Sequence, residues 1–253
     1  MKRFRNWFFT YAAAVIAAMV GQVYSFNSLE FRGIEPCALD GVMLYSFNLR
    51  SLVLPVIMVY ANLCEIKYSF TPNVIVRQKN RAASWYRQVL MCYVKCAGVM
   101  AVLMVCSGLM FYALSGRYEN FHSLRSIMFD EFQDNGYVMP DSFNVPVMIL
   151  QSFVINSLEL FYRVLAAIAF YWITDSQVFS VILTVVMGVW APNRMTIYRI
   201  GNPYYIGYEY RYTELYSPFL YIKSLVFVAI WIFALLFIAH IAVSRKNFLK
   251  RYI

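Results

Sequence analysis

The amino-acid sequence predicts an all-α, polytopic membrane protein with about six transmembrane helices and both termini in the cytoplasm. Hydrophobic residues make up 61% of the 253 residues, and charged residues only 14%. A soluble domain carries about 25% charged residues. The apolar residues are gathered into long runs, and Lys and Arg are distributed unevenly between the segments that connect those runs. These three observations indicate one transmembrane domain over residues 1–253.

Each apolar run is predicted to form a helix, because lipid offers no hydrogen-bond partner for an open backbone N–H or C=O group. A helix needs about 20 apolar residues to cross ~30 Å of hydrocarbon. The predicted spans are about 8–26, 44–64, 89–114, 146–173, 177–191 and 219–243. The fifth run, QVFSVILTVVMGVWA, reaches only ~22 Å as a helix. It is predicted to span, with a re-entrant element as the alternative.

The distribution of basic residues predicts the orientation. With six spans, both termini and the connection between the second and third spans lie on the same side. That side carries 12 of the 22 Lys and Arg residues, and the opposite loops carry six. Cytoplasmic loops are enriched in Lys and Arg, so the basic side is predicted to be cytoplasmic. Orientation and contact with anionic lipid headgroups explain the net charge of +9, and no nucleic-acid partner is needed.

Two charges occur in the middle of the fourth predicted span. Glu159 and Arg163 are four residues apart, with Asn156 one turn earlier. A charge at mid-bilayer costs roughly 2.5–3.5 kcal/mol on insertion scales, so the helix face that carries the pair should point into protein or into a wet cavity. At this spacing the two side chains share a helix face and can form an ion pair. We interpret Asn156, Glu159 and Arg163 as an intramembrane polar lock between helices, with direct contact to a transported substrate as the alternative.

Two connecting segments are candidates for contact with other molecules. The connection 65–88, EIKYSFTPNVIVRQKNRAASWYRQ, is basic, and Pro72 suits the first turn of a short helix within it. It is predicted to dock on a cytoplasmic partner, with an anchor resting on lipid as the alternative. The outer segment 193–218 is rich in tyrosine, which favours the membrane interface. An interfacial belt is the favoured interpretation there, and the outer-gate candidates are Tyr204, Tyr205 and Tyr208.

The sequence contains no recognisable catalytic constellation. G-x-S-x-G, H-E-x-x-H and the G-x-x-x-x-G-K-[ST] phosphate loop are all absent. Cys92 and Cys96 are one helical turn apart, but apolar packing is the favoured reading over a metal or redox site. We therefore expect no enzyme activity, no metal site and no cofactor bound by this chain.

A family resemblance rests on the predicted topology and on the stretch EIKYSFTPNVIVRQKNRAASWYRQVLMCYVK. In these features the chain resembles the permease subunits of type-2 ATP-binding-cassette exporters of bacteria. Those subunits commonly carry an acidic residue at the end of the second span, a basic connection, an aromatic residue and a Lys that leads into the third span. The matching residues are Glu65, Arg77, Arg81, Trp85 and Lys95. Many members have a long amphipathic helix before the first span, whereas only about seven residues precede the first apolar run here.

The resemblance implies that this chain works together with other subunits. The connection 65–88 would couple to a separate cytoplasmic ATPase that binds ATP and Mg²⁺. The residues implied in coupling are Pro72, Asn73, Val74, Val76, Arg77, Lys79, Arg81 and Trp85. A second permease copy or paralogue would complete the pathway in the plasma membrane, among membrane lipids, for export of a peptide, lipid or antimicrobial compound. The alternatives are an ion-coupled transporter and a polytopic membrane enzyme, both using Glu159 and Arg163.

Overall fold

The computed structural model describes residues 2–43, 47–69, 81–134, 136, 138–139, 141–174, 176–190 and 217–245. Within these ranges the chain is helical and contains no strand, which confirms the all-α prediction. The described residues form eight helices. They are α1 (Lys2–Phe31), α2 (Ala38–Met43), α3 (Phe47–Ser69), α4 (Arg81–Ser115), α5 (Ile127–Asp134), α6 (Val145–Thr174), α7 (Gln177–Trp190) and α8 (Pro218–Arg245).

Four of the described helices are long and apolar enough to cross a membrane. The stretches that meet this condition are Phe9–Phe31, Trp85–Ser115, Val145–Thr174 and Tyr221–Ile241. Shorter apolar stretches occupy Leu54–Ile66 in α3 and Gln177–Val186 in α7. The chain is thus a membrane protein by the length and composition of its helices. The six-span count and the cytoplasmic position of both termini stay predictions.

The helix ends follow local capping chemistry. The N–H of Gly33 donates to the carbonyl of Glu30 at 2.9 Å, and the N–H of Ile34 donates to that of Leu29 at 3.1 Å. These two hydrogen bonds close α1, and they require the left-handed φ of 77° at Gly33. At the start of α6, Asn144 Oδ1 accepts from the N–H of Val147 at 3.3 Å. The capping Asn therefore fixes where the central helix begins.

Helix α6 lies at the centre of the bundle. It packs against α2, α3, α4, α7 and α8. In α6, 72% of the most apolar stretch is buried, against 18% in α8. An apolar residue on α8 can face lipid, whereas each residue around α6 has to suit a neighbouring helix. The two charges of the predicted polar lock therefore lie on the most enclosed helix.

A small cap covers the C-terminal end of α4 and the N-terminal end of α6. These are called the outer ends, and the opposite ends the inner ones, after the orientation that the basic residues predict. The cap consists of the segments 32–43 and 116–144, including α2 and α5. The backbone N–H groups of Glu35, Ala38 and Leu39 donate to carbonyls of the 116–126 segment. Its apolar core contains Cys37, Leu39, Met43, Phe121, Met128, Phe132 and Met148. Hydrogen bonds between two distant chain segments and a core of its own make the cap a fixed part of the fold.

The helices α3 and α4 reach further into the connection 65–88 than the apolar runs predict. Helix α3 continues to Ser69, and α4 begins at Arg81 rather than near residue 89. Arg81 and Trp85 therefore belong to a long helix and not to a separate connecting element. The reason is that a hydropathy run ends where lipid ends, whereas a helix continues as long as residues with good helix propensity, such as Ala82 and Ala83, follow.

Candidate functional site

One face of α6 carries a stripe of buried polar residues. Ser152, Asn156, Glu159 and Arg163 follow one another at spacings of four, three and four residues, which places them on a single helix face. All four side chains are buried. The stripe extends over about 16 Å of helix at 1.5 Å per residue. It is the most concentrated set of buried polar side chains among the described residues of the bundle.

Glu159 and Arg163 form the ion pair that their spacing predicts. Arg163 Nη2 donates to Glu159 Oε1, and the two side chains are 6% and 11% exposed for Arg163 and Glu159, respectively. Removing two charges from water costs several kcal/mol for each, and mutual attraction offsets this only with good geometry and further hydrogen bonds. The enclosed position of α6 supplies protein neighbours around the pair in place of lipid.

The outer end of the stripe is connected to α2. Asn156 Nδ2 donates to the carbonyl of Ser152 at 2.6 Å and to its Oγ at 3.0 Å. Ser152 Oγ in turn donates to the carbonyl of Met43 at 3.3 Å. Met43 is the last residue of α2. The stripe thus stabilises the junction between the outer cap and the central helix.

A small cavity lies beside the ion pair, between α3, α4 and α6. Its volume is about 10 Å³. Seven residues line it: Leu54, Pro55, Met100, Asn156, Glu159, Leu160 and Arg163. The structure therefore brings the three polar-lock residues to one wall and places the proline of α3 opposite them.

A second charged contact joins the last turns of α3 to α4, well inside the latter helix. Lys95 Nζ donates to Glu65 Oε2, with side chains 22% and 38% exposed. Both residues belong to the motif on which the family resemblance rests. Tyr11 of α1 packs against the same region and lies within electrostatic reach of the Glu65 carboxylate. This contact fixes the two helices that flank the connection.

Trp85 is packed inside the protein, which differs from its expected role as a contact residue for a partner. Its side chain is 0% exposed, and its ring meets that of Trp172 edge-on, with centroids 6.2 Å apart. Trp172 lies near the inner end of α6. Trp85 therefore anchors the start of α4 to the central helix. The aromatic residue of the motif acts within the fold, because α4 extends far enough to bury it.

The remaining predicted site residues lie outside the described part of the chain. In the connection these are Pro72, Asn73, Val74, Val76, Arg77 and Lys79. The outer-gate candidates Tyr204, Tyr205 and Tyr208 also lie outside it. Arg81 is the first residue of α4. The coupling and gate assignments therefore stay predictions.

Two cysteines one helical turn apart lie inside the bundle. Cys92 and Cys96 are both buried in the main core of the bundle. Within the part of the chain that the structure describes, no group of three or more His, Cys, Asp or Glu side chains is placed to hold a metal ion.

Two features of the site go beyond the sequence predictions. Pro55 lies within an apolar run, where a proline signals a break in the helical hydrogen bonds. Ser152 lies four residues before Asn156, and this spacing extends the stripe. In the outer cap, Glu35 forms ion pairs with Arg117 and, at 3.6 Å, with Arg125. No sequence pattern indicates that contact, because 82 residues separate Glu35 from Arg117.

The geometry supports a structural and mechanical role for these polar groups. The inner contacts hold the two helices on either side of the connection 70–80, and the stripe holds the central helix to α2 and lines a small cavity. Comparison of the chain with protein-family models, with curated proteins and with solved structures finds no match.

Proposed function

We propose that this chain is the membrane permease subunit of an ATP-driven exporter of the type-2 ATP-binding-cassette class. In this proposal it crosses the plasma membrane of a bacterium six times, with both termini in the cytoplasm. A separate cytoplasmic subunit binds ATP and Mg²⁺. A second copy or a paralogue completes the pathway, and the cargo is a peptide, a lipid or an antimicrobial compound.

The observation that carries the proposal is the ion pair between Glu65 and Lys95. These two residues are 30 positions apart in the chain, at the two sides of the basic connection, and their side chains meet. A subunit that receives force from an ATPase needs rigidly packed helices on both sides of the segment that docks on the ATPase. The Glu65–Lys95 ion pair and the packing of Trp85 on Trp172 hold the helices that flank residues 70–80 in this way. Force applied to the connection would pass through α4 to the central helix.

The decisive experiment changes the apolar residues of the connection. We expect Val74→Asp/Val76→Asp to abolish co-purification with the cytoplasmic ATPase subunit of this proposal, while membrane insertion is unchanged. An apolar anchor in an interface carries affinity, whereas rim charges mostly affect encounter rates. The matched control is Val138→Asp, which adds a carboxylate at a side chain that is 90% exposed in the outer cap. If the doubly substituted chain still retains its ATPase and full transport, the connection is a lipid anchor and the proposal loses its main support.

One observation favours the second candidate, an ion-coupled transporter. The cavity at Asn156, Glu159 and Arg163 places an ionisable pair beside a space within the bundle. Polar groups inside membrane segments often mark ion pathways. Purified chain in vesicles without any ATPase distinguishes the two candidates. Transport driven by a proton or sodium gradient, and lost in Glu159→Gln, supports the ion-coupled transporter, whereas no movement without the ATPase and ATP supports the exporter.

A further inference from the structure

The cavity beside the ion pair is close to the size of one water molecule, and three polar side chains take part in its lining. A space of about 10–15 Å³ open to a water-sized probe is the lower limit for holding a water molecule. The cavity, at about 10 Å³, is close to this limit.

The wall formed by α6 supplies both donors and acceptors. An arginine has five N–H donors, a carboxylate accepts up to about four hydrogen bonds, and an amide does both. The pair therefore has the capacity to bind water in addition to its mutual hydrogen bond. A bound water needs two to four such partners. Asn156, Glu159 and Arg163 together meet that requirement on one side of the cavity.

Pro55 belongs to the part of the lining that α3 supplies. It has no N–H group, so it cannot donate the helical hydrogen bond to the carbonyl four residues earlier. A backbone carbonyl inside a membrane needs a partner, and an ordered water commonly supplies it beside a proline. The proline ring and the carbonyl of the preceding turn share a helix face. Pro55 lines the cavity, so that face is turned toward the polar lock.

The charges of the ion pair disfavour metal cations and anions as occupants of the cavity. A metal cation would meet the Arg163 guanidinium, and an anion would meet the Glu159 carboxylate. A neutral molecule with both donor and acceptor capacity avoids either repulsion. We propose that this cavity binds one ordered water molecule, which bridges the polar stripe of α6 to the backbone of α3 at Pro55. The water gives the proline break in α3 a hydrogen-bond partner and keeps the ion pair hydrated in the interior of the bundle. This inference stands apart from the exporter proposal and does not depend on it.

The sequence offers a direct test by solid-state NMR on the full chain in lipid vesicles. Leu54–Pro55 is the only Leu-Pro pair in the chain, so ¹³C-carbonyl Leu with ¹⁵N-Pro labels that one peptide bond uniquely. Leu165–Ala166 is the only Leu-Ala pair, and it lies in α6 with side chains 0% and 2% exposed. The measurement is the rate at which magnetisation passes from water protons to each labelled pair. Because proline has no exchangeable N–H, transfer to Pro55 reports proximity to water or to an exchanging neighbour.

We expect transfer to Leu54–Pro55 to be several-fold faster than transfer to Leu165–Ala166. Asn156→Leu, which fills the cavity and removes one polar partner, should slow transfer at Pro55 to the rate of the dry pair. The matched control is Asn62→Leu. It makes the same substitution at another buried asparagine, whose Nδ2 donates to the carbonyl of Met58, away from the cavity.

Equally slow transfer at both labelled pairs of the unsubstituted chain overturns the proposal, whether or not the variants fold. Fast transfer that persists unchanged in Asn156→Leu also overturns it, because the water would then reach Pro55 by another route. Neither result affects co-purification with an ATPase, so the exporter proposal is tested separately.

Discussion

Glu159 and Arg163 are tolerated inside the bundle because each is the other's partner at one helical turn. Their side chains are almost fully buried, so the loss of one leaves the other as an unpaired charge away from water. Breaking a buried pair costs more than replacing both members with apolar or neutral residues. The pair therefore sets how the chain responds to substitution at either position.

Glu159→Gln is expected to lower the free energy of unfolding by roughly 3–5 kcal/mol, because Arg163 loses its counter-charge in a buried site. The double change Glu159→Gln/Arg163→Met should be milder than Glu159→Gln alone. The measurement is the unfolding free energy of the purified chain in detergent micelles, taken as a double-mutant cycle. Additive losses from the two single changes would show that the residues do not act as a pair.

The buried thiol of Cys37 in the outer cap is expected to make the stability of the fold depend on pH. Burial raises the pKa of the Cys37 thiol, and the nearby Asp40 carboxylate raises it further, while hydrogen bonding to backbone groups acts in the opposite direction. The folded pKa lies above the unfolded value near 8.5, so the stabilisation from the neutral thiol is complete below that pH and is lost as the pH rises. We expect the melting midpoint of the unsubstituted chain to fall more steeply than that of Cys37→Ala between about pH 8 and 10. Parallel curves would mean that the thiol has no part in alkaline unfolding.

At the scale of elements, the packing of α2 on α4 depends on a close backbone approach. A Cβ atom added at Gly41 would lie 2.5 Å from the carbonyl oxygen of Ser107 and 2.7 Å from Cγ of Phe111. The carbonyl belongs to the middle of a long helix and cannot move aside cheaply. On the facing helix, a Cβ at Gly108 would lie 2.5 Å from Cγ2 of Val42. Small residues on both helices therefore let the cap sit directly on the bundle.

Gly41→Ala is expected to destabilise the cap by about 1–3 kcal/mol, the usual range for overpacking. Gly98→Ala is the matched control, because nothing lies within 4 Å of the added Cβ in the middle of α4. The control should be neutral or more stable by up to about 1 kcal/mol, from helix propensity alone. Limited proteolysis of the 116–144 segment, with thermal unfolding, measures both effects. Equal protection of the two variants would contradict the close-packed contact.

The sequence predicts the helices of the bundle well and the cap poorly. Apolar runs locate the helices because burial in lipid or protein is a property of each residue and its neighbours along the chain. They miss α2 and α5, whose six and eight residues are too short for a hydropathy signal. The pair Glu159–Arg163 follows from spacing within one helix. The contacts Glu65–Lys95 and Trp85–Trp172 join distant segments, and no periodicity indicates them.

For the whole molecule, the bundle, the outer cap and the inner contacts define two ends. The cap and its ion pairs of Glu35 lie at the end where α4 finishes and α6 begins. The Glu65–Lys95 pair and the Trp85–Trp172 contact lie toward the other end. The excess of basic residues predicts that this second end faces the cytoplasm. The direction in which the chain crosses the membrane can be tested without knowledge of its function.

Cysteine labelling of intact cells tests the orientation. Glu119 and Asp130 are exposed in the cap, and Arg87 is exposed near the inner end of α4. With a membrane-impermeant maleimide, Glu119→Cys and Asp130→Cys should react in intact cells, and Arg87→Cys only after permeabilisation. The native Cys37 should give little background, since it is 0% exposed. The reverse labelling pattern would place the cap in the cytoplasm and refute the predicted orientation.

The central position of α6 has a consequence for how the chain is made. A nascent chain enters the membrane from its N-terminus, so α3 and α4 are synthesised before α6. A helix with two charges near its middle is poorly suited to wait alone in lipid. When α6 leaves the insertion machinery, the two helices that wall its cavity have already been inserted, while α7 and α8 enter the membrane after it. The order of the helices in the chain thus lets α6 pack its charged face against α3 and α4 as it inserts. Membrane insertion therefore constrains the order in which the helices can follow one another.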